Sequence, residues 1–155
     1  MMTHGRDAEV YEKHAEELLR FATVLVGPEH APDVLSGAVI KAYGSRAWPG
    51  VENRRAYLFR CVANEARTHG RSVRRREAAE MRAETPRVTA SSQLPDVDVV
   101  RALNELSPRQ RAVVYLSYWE DLDQWAIAQL LGIGPGAVHR HLARARSNLR
   151  RMLRA

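Results

Sequence analysis

Cysteine, phenylalanine and long apolar runs are all scarce in this chain. Cys61 is its single cysteine, so no internal disulfide can form. With no ligating neighbour in sequence it reads as a small apolar residue rather than a nucleophile or metal ligand. No stretch approaches the ~18 consecutive apolar residues of a membrane span. Met1 to Val10 is polar and mixed in charge, unlike a signal peptide or an amphipathic targeting helix. These features fit a reducing cytoplasm and no membrane. Catalytic apparatus is missing too. There is no phosphate-cradling glycine loop, no nucleophile at workable spacing from a base, and no pair of carboxylates on one helical face in a plausible pocket. Glu16-Glu17 and Glu120-Asp121 read as solvated charges. An enzyme is therefore not expected, nor is a cofactor. His139 and His141 cannot share a metal ion, because i and i+2 on a helix point about 200° apart.

Charge is what the chain has, and it is segregated. Residues 1–53 carry −3, 54–82 carry +6, 83–136 carry −3 and 137–155 carry +6, with no acidic residue in the last block. Basic residues gathered in this way attract a polyanion, and phosphate neutralisation is the usual source of such affinity.

Apolar periodicity is helical throughout, and strand alternation is weak. Leu18, Leu19, Ala22, Leu25 and Val26 form one stripe that Gly27-Pro28 stops. A second helix starts near Pro32 and runs through Val34, Leu35, Ala38, Val39 and Ala42 to Tyr43. Trp48-Pro49-Gly50 is a turn. A third helix from about Asn53 aligns Tyr57, Leu58, Cys61, Val62 and Ala66, and its far end becomes Arg71, Arg74, Arg75 and Arg76. From about Glu84 to Pro95 the pattern vanishes into a polar, proline-bracketed stretch of flexible-linker composition. Helix resumes at Val97, with Val99, Val100, Leu103 and Leu106 on one face. Ser107 and Asp123 are predicted N-caps, Pro108 a first helical residue, and Gly132 a left-handed C-terminal position. The expected fold is all-α: two small helical modules, residues 8–80 and 97–155, joined by a flexible linker over 81–96.

Two constellations carry function. From Ile127 to Leu142 a short helix ends at a glycine, Ile133 plugs the turn, and a basic helix follows. This is the layout of a helix-turn-helix, whose second helix enters a major groove. Its exposed residues would be Ala137, His139, Arg140, Ala143 and Arg144, and arginine suits guanine edges and phosphates. From Arg54 to Arg76, arginines interleave with Tyr57 and Phe59. Single-stranded DNA favours such a mixture, with aromatics stacking on bases and cations tracking phosphates. For any single aromatic here, a place in the core is the simpler reading.

Nearly the whole chain, from about Val10 to Leu153, resembles the extracytoplasmic-function sigma factors. The resemblance is carried by Leu106-Ser107-Pro108-Arg109-Gln110-Arg111, Tyr118-Trp119-Glu120-Asp121-Leu122, Ile127-Ala128-x-Leu130-Leu131-Gly132 and Gly136-Ala137-Val138-x-x-x-Leu142-x-Arg144-Ala145. In the first module, Arg55 to Arg67 looks like the family's −10 recognition and melting segment. Pro32-Asp33-Val34-Leu35 through Lys41-Ala42-Tyr43 sits where the family has its polymerase-binding helix. The resemblance implies that the helix from Gly136 reads a −35 element, with Arg109 and Arg111 near the phosphate backbone. It also implies that Asn64 and Arg67 meet the non-template strand while Arg71, Arg74, Arg75 and Arg76 hold its phosphates. Asp33, Val34, Leu35, Lys41 and Tyr43 would bind polymerase. The implied partners are core RNA polymerase, promoter DNA and a regulatory protein such as an anti-sigma factor. Where family members show an acidic pair followed by glutamine and glutamate, this chain has Pro32-Asp33 and then Ser36-Gly37. A helix-turn-helix regulator that does not act with polymerase is the alternative reading, and the arginines of 54–76 argue against it.

Overall fold

In the computed structural model the described residues are 3–80 and 97–154. The expected linker, 81–96, lies outside them. The helices are α1 (Thr3–Val26), α2 (Ala31–Gly44), α3 (Arg54–Glu80), α4 (Val97–Asn104), α5 (Pro108–Tyr118), α6 (Gln124–Leu131) and α7 (Pro135–Arg154), with one 3₁₀ turn at Trp48–Gly50. Among the described residues there is no strand, and no helix is long and apolar enough to cross a membrane.

Local chemistry sets the boundaries. Gly27, at φ 85°, closes α1, and its N–H donates to Thr23 O at 2.8 Å. Ser107 and Gln110 form a reciprocal capping box at the start of α5, directly before Pro108, so two otherwise orphaned amides are satisfied. Asp123 caps α6 by accepting from Ala126 N at 2.8 Å. Trp48 is more than a turn residue: it is buried, its indole N–H donates to Asp7 Oδ1 at 2.8 Å, and its ring lies 4.8 Å from Tyr43.

Helices α1–α3 pack through Leu18, Phe21, Leu25, Val34, Leu58 and Val62. The same apolar cluster continues into the second module through Val113, Leu116, Ile127 and Leu131. A smaller cluster of Leu103, Leu106, Val114 and Ala145 joins α4, α5 and α7. The two modules thus close on each other and share a core.

Gly37, costly in a helix interior by about 1 kcal/mol relative to alanine, has a steric reason. A Cβ there would lie 2.8 Å from Glu65 Oε1. The bare backbone of α2 admits the Glu65 carboxylate, which pairs with Lys41 at 2.5 Å.

Candidate nucleic-acid interface

The sharp bend between α6 and α7 is built from Gly132, Ile133 and Gly134. Gly132 adopts φ 68°, ψ 35°, a left-handed conformation that costs a glycine nothing. Ile133 N donates to Ala128 O at 3.1 Å, across the end of α6. Gln124 Nε2 donates to Pro135 O at 2.9 Å and ties the start of α6 to the start of α7. Val138 and Ala145 are fully buried, which orients the rest of α7. His139, Arg140, Ala143 and Arg144 are exposed and Ala137 is half-buried. Among the described residues, neither Arg140 nor Arg144 takes part in any of the ion pairs. Their guanidinium donors are therefore available to an external acceptor.

His141 lies on the flank of this face, half-buried. Its Nδ1 is enclosed without a hydrogen-bond partner. Burial lowers its pKa, and Arg109, Arg144 and Arg140 lower it further. The ring is accordingly neutral at pH 7.

Arg109 and Arg111 part company. Arg109 is half-buried, with its pKa lowered by burial and by nearby Arg67. Arg111 was expected near DNA phosphates, and here the structure corrects the expectation. Only 2% of it is exposed. Its guanidinium donates to Leu106 O at 3.1 Å, Leu25 O at 3.0 Å and Asn104 O at 3.2 Å. Burial pushes its pKa down to about 10, so it still carries its charge at neutral pH.

On α3, Arg60, Asn64, Arg67, Arg71 and Arg75 fall within one narrow stripe at 100° per residue, and all five are exposed. Arg76 is exposed too but lies off that stripe, its Nη2 donating to Ser72 Oγ at 3.4 Å. The side chain of Arg74 lies outside the description. The interleaved aromatics face elsewhere. Phe59 is core, 5.1 Å from Phe21. Tyr57 is half-buried, with its hydroxyl donating to Ser45 Oγ at 3.0 Å. Neither offers a free face to a base here.

The expected polymerase-binding set is also rearranged. Val34 and Leu35 are core residues and cannot meet a partner. Tyr43 is half-buried, its hydroxyl donating to Asp7 O at 2.7 Å. The outward face of α2 consists instead of Asp33, Ser36, Ile40 and Lys41. Ile40 is 72% exposed, and sequence periodicity did not single it out. It borders a groove of about 630 Å³ between α1 and α2, with Tyr11, Val39, Tyr43 and Trp48 among its walls.

Residues 96–149 match the family model "Sigma-70, region 4". The chain is 34% identical to an RNA polymerase sigma-E factor of Streptomyces avermitilis, over 96% of this chain and 89% of that protein. It is 36% identical to one of Streptomyces coelicolor, over 91% and 84%. Among solved structures, the sigma factor RpoE of Bartonella quintana, in complex with the anti-sigma factor NepR, superposes with a TM-score of 0.77 at 22% identity, covering 96% of both chains. CnrH, in complex with the cytosolic domain of CnrY, superposes with a TM-score of 0.61 at 23% identity, covering 95% of this chain and 86% of that one. These two show the fold; the sequence relatives carry the family. By that near full-length likeness, the chain belongs to the extracytoplasmic-function sigma factors of RNA polymerase.

Proposed function

We propose that the chain binds core RNA polymerase and directs promoter-specific initiation, with α7 reading a −35 element in the major groove and α3 engaging −10 DNA. The observation that carries this reading is the unpaired Arg140–Arg144 face of α7, set out from the core by the Gly132 bend in a chain of this family. In a helix-turn-helix the first residues of the second helix meet base edges, and Arg140 has the reach and the paired donors for guanine. The α3 stripe from Asn64 to Arg75 suits phosphates of the non-template strand. Its half-buried and buried aromatics make it a cationic track first. Polymerase docking falls to the outward face of α2, with Asp33, Ser36, Ile40 and Lys41. The chain acts in the cytoplasm, binds and melts DNA without cleaving or forming covalent bonds, and answers to an anti-sigma partner of its own.

Titration of purified core RNA polymerase with the chain, followed by run-off transcription over a promoter library, tests this. The expected result is a stable complex and transcripts from a shared pair of elements. DNA binding with no core association would instead favour a regulator that does not work with polymerase.

A further inference from the structure

Helix α5 packs against both α3 and α7, and basic side chains from all three gather at that junction. Arg67, on α3, lies near Arg109, the second residue of α5. Arg109 in turn lies near His141 on α7, which Arg144 and Arg140 flank. At 100° per residue, His141 and Arg144 are about 60° apart around α7. The charges that bear on Arg109 and His141 are all positive, and no carboxylate offsets them. Among the described residues, Arg67, Arg109, Arg140 and Arg144 form no ion pair and no side-chain hydrogen bond. The other enclosed arginines are served from within the chain: Arg55 by two carboxylates and Arg111 by three carbonyls. Arg109 is half-buried and has neither. His141 Nδ1 is enclosed beside it, also without a partner. A guanidinium and a ring nitrogen withdrawn from water without acceptor or donor are costly, and like charges gathered around them add to the cost. An anion from outside the chain relieves all of it at once.

We propose that Arg67, Arg109, His141 and Arg144 form a binding site for a small multi-phosphate anion, a free di- or triphosphate rather than the backbone of duplex DNA. Three guanidiniums match the charge of two or three linked phosphates better than that of one, and each can hold phosphate oxygens through paired donors. His141 supplies a donor in one neutral tautomer, and a second once the anion draws a proton onto the ring. Size separates the two sources of phosphate. A small anion can enter between α3, α5 and α7 and reach the half-buried Arg109 and the enclosed face of His141. A duplex laid along α7 meets first the cations that project outward, Arg140 and Arg144. The attraction comes from side chains and not from the end of α5, whose first turn Ser107 and Gln110 already cap. Binding of the anion needs neither polymerase nor a promoter, so it stands apart from the promoter reading above.

The test is isothermal titration calorimetry of the full chain with tripolyphosphate, without DNA and at about 0.15 M salt, where loose surface attraction is screened. The wild type should bind one tripolyphosphate saturably. Arg67→Gln and Arg109→Gln should each weaken binding about tenfold or more. R150Q/R151Q removes as many charges as R67Q/R109Q, but from the far end of α7, and should leave the affinity within about twofold. If R109Q fails to fold by far-UV circular dichroism, R67Q decides alone, because that side chain is exposed. No saturable binding by the wild type would overturn the site. So would equal losses in R67Q/R109Q and R150Q/R151Q, which would mean a general pull of a basic chain on a polyanion. Fluorescence anisotropy with a duplex oligonucleotide separates the sources. A tenfold loss of duplex affinity in R67Q/R109Q, with tripolyphosphate affinity unchanged, would assign these cations to DNA phosphates and overturn the proposal.

Discussion

The arginines of α3 and those of α7 have the same side chain and opposite surroundings. At the start of α3, Arg54 sits 4.0 Å from Asp7 and stacks over Trp48. Arg55 is clamped by two carboxylates and covers Phe59, and Arg60 packs on Gly132. On α7 no acid is available within the helix, and Arg140 and Arg144 project outward without an ion pair among the described residues. Arg146 turns back, donating to Tyr118 OH at 3.0 Å, and Arg151 donates to Asn148 Oδ1 at 3.3 Å. Basic composition marks both helices. The acids that decide which arginines are tied into the fold and which stay without an ion pair come from distant sequence: Asp7, Glu17 and Glu120. On α5 the same sorting happens over two residues, because Arg109 and Arg111 point about 200° apart.

Substitutions can break this contrast, and the largest effect should come from Arg111. Arg111→Ala strips a buried charged donor from the carbonyls of Leu106 and Leu25 and should cost about 2–4 kcal/mol of stability. The urea midpoint will show it, and Arg109→Ala should shift that midpoint far less. Next is Arg140→Ala, which should weaken binding to a −35 duplex by about 1–3 kcal/mol if it reads a base edge. Fluorescence anisotropy measures this, and Arg140→Ala should leave the urea midpoint nearly unchanged. Ser107→Ala removes the capping box of α5 and should cost about 1 kcal/mol. A thermal melt followed by far-UV circular dichroism would register that loss as a lower midpoint.

The smallest effect is a pH dependence. Burial lowers the pKa of His69, with His30 and Arg76 adding to it against Asp33 and Glu65, and His141 is lowered likewise. The unfolded chain therefore holds these protons more tightly than the folded one. The associated stability is present above the unfolded value of about 6.5 and is lost as pH falls through the lower folded values. Urea midpoints at pH 7.5 and 5.5 should differ in that sense, and H69Q/H141Q should flatten the difference.

What was legible in the sequence was what local chemistry decides. Ser107, Asp123 and Gly132 stand where their capping preferences put them, and Val138, Leu142 and Ala145 turn inward as their spacing requires. The family resemblance was legible for the same reason: its motifs are runs of neighbouring residues. The residues misread are those whose fate depends on partners far along the chain. Arg111 meets Leu25, 86 residues away, and no local pattern signals a buried cation. Glu17 and Glu120 read as solvated charges, yet Arg55 joins them. Burial pushes the Glu17 carboxyl up, but Arg55 and His14 outweigh it and its pKa falls. Val34 and Leu35 do belong to the polymerase-binding helix of the resemblance. Their apolar character was the clue that they face the core and leave Ile40 and Lys41 outside.

The most direct measurement is a hydroxyl-radical footprint of the full chain with core RNA polymerase on a promoter it transcribes, comparing wild type with R140A/R144A. Protection of the upstream element by the wild type, lost in the double variant while core association persists, is the predicted result. Identical upstream protection in both would contradict the assignment of α7 as the helix that reads DNA.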